Sequence, residues 1–129
     1  MALIGDFNNT LQKIPTFAKE LKLIIISQLW SKKRISMAIE LIDQLERKKN
    51  LVESMGETIR FTPLYLIIQP EDCGLRRVTF DLTSSENAKK YIQKLLDDIN
   101  KISPTFEFSV DSFYAESRYI KFFISFDIL

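Results

Sequence analysis

The chain contains no histidine, one cysteine, one tryptophan and three glycines in 129 residues. Without histidine, the usual acid–base residue near neutral pH, the commonest metal ligand and every histidine-based nucleophile triad are excluded. A single cysteine, Cys73, closes no internal disulfide, so the expectation is an intracellular, reducing setting. Three isolated glycines make no phosphate-cradling loop. Neither sign of charge dominates: 18 basic against 17 acidic residues leave a net charge of +1, and no global field acts on nucleic acid or membrane. The longest apolar run, around "LIIIS", is interrupted by Lys22, Ser27 and Gln28 and falls short of the roughly 20 residues of a membrane span. No basic–apolar–small-residue leader opens the chain. A soluble protein is expected, cytoplasmic or held within a particle or complex.

What the chain does have is core. Hydrophobic residues make up 46% of it and ten are phenylalanine, enough for a single α+β domain over residues 1–129. Asn8, Asn9 or Thr10 is a candidate cap for a first helix. After it Ile14, Phe17, Ala18, Leu21, Ile24, Ile25 and Leu29 recur at helical spacing. The β-branched "LIII" also suits a buried strand, and helix is the preferred reading. "SKKR" breaks the pattern. A second stripe of Ile35, Ala38, Ile39, Ile42 and Leu45 then predicts an antiparallel helical hairpin over residues 8–53, with Gly56 as its stop.

From there the period changes to two. "LYLIIQ" is apolar on both faces, "RRVTFDLT" alternates, and "PEDCG" between them reads as the turn of a hairpin. Thr83 and Glu86 have the spacing of a capping box. The stripe Ala88, Tyr91, Ile92, Leu95, Leu96, Ile99 and Ile102 predicts a helix that ends before Pro104. "TFEFSVDSF" and "RYIKFFISFDIL" follow as strands, completing a ββαββ unit over residues 59–129. Strands that are apolar on both faces belong at the centre of a sheet. The expected fold is therefore a four-stranded, mostly antiparallel sheet of order 2-1-4-3 with helices on both faces, the hairpin covering one of them.

Chemistry is sparse. Cys73 lies beside Glu71 and Asp72, whose charge opposes the thiolate. Asp97 and Asp98 are adjacent on a helix and point about 100° apart, which suits a solvated face rather than a shared proton. Metal-ligand spacing is missing and no cofactor is implied. An enzyme working with carboxylates alone is the residual catalytic option, and the expectation is a non-enzyme. Two basic clusters, Lys32, Lys33 and Arg34, then Arg47, Lys48 and Lys49, stand about 20 Å apart at the two ends of the second helix. They are the candidate contacts of a nucleic-acid-binding regulatory module. Glu40, Asp43 and Glu46 between them argue against it, and basic residues after "LIDQLE" also complement a helix C-terminus. Residues 14–30 read as core sooner than as a helix lying on a membrane. The leading expectation is a subunit or adaptor that binds a protein partner, itself or another. Leu3, Ile4 and Phe7, ahead of the first helix, are its candidate interface.

Overall fold

The computed structural model describes residues 4–55, 64–76 and 78–128, which group into two compact units, residues 1–62 and 63–127. The first holds helices α1 (Ile4–Ile26) and α2 (Lys32–Met55). They pack through Ile14, Ala18, Leu21 and Ile25 of α1 and Met37, Ala38, Leu41, Ile42 and Leu45 of α2, all buried. The helix begins at Ile4, ahead of Asn8, so none of the expected caps starts it. Pro15 lies well inside α1, where its missing N–H leaves one carbonyl of the preceding turn without an intrahelical partner.

Across this pair, Lys22 Nζ lies 2.5 Å from Asp43 Oδ1 and also contacts Glu46. Those carboxylates hold its pKa above the ordinary lysine value. Helix α1 closes without glycine. Ser27 Oγ and Gln28 Nε2 both donate to the Ile24 carbonyl, at 2.7 and 3.1 Å. Ser31 then caps α2 by accepting the Arg34 N–H at 3.2 Å.

The second unit runs β1 (Leu64–Ile68), a short 3-10 helix (Pro70–Cys73), α3 (Leu82–Ile102), β2 (Phe106–Ala115) and β3 (Ile120–Ile128). Its sheet has three strands in the order β1-β3-β2, not four in the order 2-1-4-3. The strand that fails to form is "RRVTFDLT". Local structure stands on either side of it. Ahead of it "PEDC" winds into the 3-10 helix, which ends at Gly74 with φ 78°, a conformation glycine adopts without a Cβ clash. At its end Asp81 caps α3. Its carboxylate accepts the Ser84 N–H at 2.8 Å, and Ser84 Oγ accepts the Asp81 N–H at 2.8 Å. This reciprocal pair replaces the expected Thr83–Glu86 box and draws Leu82 into the helix. Of the alternating Val78, Phe80 and Leu82, only Phe80 is half-buried; Val78 and Leu82 are largely exposed, so they mark no buried strand face.

Strand β3 is the middle of the sheet. It pairs antiparallel with β1 in the register Leu64 opposite Ile124, Leu66 opposite Phe122 and Ile68 opposite Ile120. These six side chains, with Phe106 and Phe108 of β2, are buried. Helix α3 packs on β2, turning Ala88, Ile92, Leu95, Leu96 and Ile99 inward. Asn100 fastens the two together: its amide nitrogen donates to the Phe108 carbonyl at 2.8 Å, and its oxygen accepts the Phe108 N–H at 2.7 Å. Both main-chain groups of an edge-strand residue are satisfied, which blunts that edge.

Strand β2 also carries a bulge. Ser109 and Ser125 share a hydroxyl bond of 2.9 Å, and the Glu116 N–H donates to the Tyr119 carbonyl at 2.9 Å. Seven residue steps on the β2 side answer six on the β3 side, so one residue is extra. Alternation slips accordingly. Phe113, odd-numbered like the outward Ser109, lies 6.0 Å from the buried Phe122 ring and under Lys89 of α3.

Candidate interaction surfaces

The sparse chemistry of the sequence stays dispersed. Burial pushes the half-buried Cys73 thiol up to about 11, with Asp72 adding to the rise; Glu71, expected to contribute, does not. Asp97 accepts from Gln93 at 3.0 Å, while Asp98 stands 3.6 Å from Lys94, so the two carboxylates have separate partners. Among the described residues, no three of Cys, Asp and Glu gather as a metal site. No described helix is long and apolar enough to cross a membrane.

The two basic clusters differ in character. Helix α2 runs on to Met55, so Arg47, Lys48 and Lys49 lie within it and complement no C-terminus. Arg47 bonds Glu40 at 3.0 Å, and burial lowers the pKa of half-buried Lys48. Lys32 and Lys33 are exposed in the first turn, and the Arg34 guanidinium sits 4.7 Å from the Trp30 ring centre. That first turn holds no acidic residue. Three cations therefore stand at the positive end of the α2 dipole, an end that of itself favours anions, and Lys33 and Arg34 each also interact within the chain.

Of the candidate interface, Leu3 lies outside the described residues. Ile4 and Phe7 fall within the first turns of α1, not ahead of it, and their side chains also lie outside what is described.

Two apolar surfaces emerge that the periodicity alone concealed. The first is the sheet face opposite α3. In β1 the burial alternates, leaving Tyr65 42% and Ile67 51% exposed beside half-buried Phe123. Lys121 reaches across this face, 4.5 Å from the Tyr65 ring centre and 5.2 Å from that of Phe123. Being apolar on both faces was read as a sign of a central strand, yet β1 is at an edge.

The second surface is the tip of the helical hairpin. Leu23 and Ile26 point outward on the last turn of α1, both about 60% exposed, and Leu29 in the turn is fully exposed. Helical spacing puts Leu29 in the core stripe of α1, but the helix ends at Ile26 and leaves it outside. The signal was the polar pair Ser27–Gln28, whose side chains close the helix ahead of it.

A groove of about 270 Å³ between α3 and the bulged end of β2, floored by Val110, Phe113 and Phe122 and edged by Lys89 and Lys90, is smaller than most small-molecule sites. No family model, curated protein or solved structure matches this chain.

Proposed function

We propose that this chain is a non-enzymatic assembly subunit or adaptor, and that it engages a protein partner, self or heterologous, through β1 and the sheet face beside it. The observation that carries this reading is the outward pair Tyr65 and Ile67 on an edge strand. "LYLII" holds no Lys, Pro or other device that ordinarily blunts an edge. A partner strand added there gains main-chain hydrogen bonds, while Tyr65, Ile67 and Phe123 offer it an aromatic and aliphatic floor. Lys121, already lying over two rings, supplies a rim cation that would remain in water.

The test is site-specific photo-crosslinking in the cell of origin, with the reactive group at Ile67 and a control at exposed Asn87 on α3. A single adduct of defined mass at position 67, absent at 87 and lost on adding Tyr65→Lys, supports the assignment. Equal labelling at both positions, with a monomeric mass by light scattering, overturns it.

A further inference from the structure

We propose that the tip of the α1–α2 hairpin docks onto the surface of an anionic lipid bilayer, with Leu29 and Trp30 entering the headgroup boundary and Lys32 and Lys33 resting on lipid phosphates and carboxylates. This stands apart from the reading of β1, since it uses no residue of the sheet.

Two independent observations meet at this tip. One is apolar: Leu23 and Ile26 face outward on the last turn of α1, Leu29 is fully exposed, and Trp30 follows it. The other is charge. Lys32, Lys33 and Arg34 occupy the first turn of α2 with no acidic neighbour in that turn, against the dipole of their own helix. Exposed Lys32 and Lys33 give an external anionic surface charge to meet there. Aliphatic side chains beside a tryptophan and several basic residues are the composition of segments that lie at a membrane interface. Each basic residue near an anionic leaflet adds to attraction that fades within a Debye length.

The tip is also held in place. Ser27 and Gln28 bond the Ile24 carbonyl, Ser31 caps α2, and Arg34 stacks on Trp30. Exposure of Leu29 is thus built into a hydrogen-bonded turn and costs little further ordering on binding. Nucleic acid fits less well, because Trp30 is the one ring at a tip whose other exposed apolar side chains, Leu23, Ile26 and Leu29, are aliphatic.

Trp30 is the sole tryptophan, so its fluorescence reports on this site alone. The full chain is mixed at low salt with vesicles of phosphatidylcholine, with or without phosphatidylserine. Expected are a blue shift of Trp30 and co-sedimentation with the phosphatidylserine vesicles, both fading as salt is added. Lys32→Glu with Lys33→Glu should weaken binding about tenfold or more, and Leu29→Asp should abolish the blue shift; circular dichroism checks that each variant is folded. Ile67→Glu should leave lipid binding unchanged, which separates this site from the β1 surface. No association with phosphatidylserine vesicles, or equal association with neutral ones, overturns the proposal. So does a Trp30 shift that follows protein concentration without lipid, which would assign the tip to a second copy of the chain.

Discussion

Asn100 does for β2 what a neighbouring strand would do. Its side-chain amide takes both main-chain groups of Phe108 in a partly buried setting. Asn100→Ala leaves two polar groups without partners and should cost about 1–3 kcal/mol, read as a lower urea midpoint. Asn100→Asp keeps the acceptor but loses the donor, setting a carboxylate against the Phe108 carbonyl, and should rescue none of the loss. Lys22 makes a smaller contribution with a definite pH signature. Its pKa is raised above the ordinary 10.5 by Asp43 and Glu46. The stability it adds is complete below the unfolded value and disappears as pH rises through the higher folded one. Lys22→Met should therefore flatten the alkaline limb of the stability profile, by on the order of 1 kcal/mol, in denaturant titrations run at successive pH values. At Cys73 the raised thiol pKa of about 11 keeps the thiolate scarce at neutral pH. Iodoacetamide should modify it slowly there, with a rate that climbs steeply only in strong base.

At the scale of elements, the contest between strand and helix at residues 76–83 was decided by capping. A fourth strand would gain one edge ladder; instead Asp81 and Ser84 satisfy each other's amides and cap α3 two residues ahead of Thr83. Asp81→Ala should cost about 1 kcal/mol and lower the helical circular dichroism signal, while Thr83→Ala should be silent. Strand β3 carries the sheet. Its Ile120, Phe122 and Ile124 are buried and it is paired on both edges. Phe122→Ala should cost roughly 3–5 kcal/mol, far more than Ser125→Ala, and deleting residues 122–129 should abolish cooperative unfolding of the sheet. A truncated chain that keeps its cooperative transition would refute the central role of β3.

For the whole molecule, the two proposed surfaces differ in chemistry and would take two kinds of partner. The sheet face pairs aromatic rings with a single lysine; the hairpin tip pairs aliphatic side chains with a basic first turn. If both are used, Tyr65→Lys and Leu29→Asp should each remove one association and spare the other. Leu29→Asp, at a fully exposed position, should keep stability within about 0.5 kcal/mol of the parent, and Tyr65→Lys should lose little beyond its cation–π contact with Lys121, about 0.5–1 kcal/mol, so a larger loss of association reports on binding rather than folding.

The sequence by itself determined that three helices form and, most completely, the stripe that buries α3; in α2 it missed Met37 and Leu41. The wide stripe from Ala88 to Ile99 repeats at 3.6 residues, and that periodicity is a property of the segment alone. It also determined what chemistry is missing, since a chain without histidine has none in any fold. Tertiary structure decided which strands have neighbours. "LYLII" and "RYIKFFISFDIL" are both apolar on two faces, yet one lies at an edge with Tyr65 and Ile67 outward and the other in the centre. Pattern reports which side chains are apolar; whether a face is covered depends on residues far along the chain. The bulge in β2 and the outward setting of Leu29 were hidden for the same reason. A hydrophobic residue looks alike in sequence whether it faces the core or the solvent, and only the packing around it makes the choice.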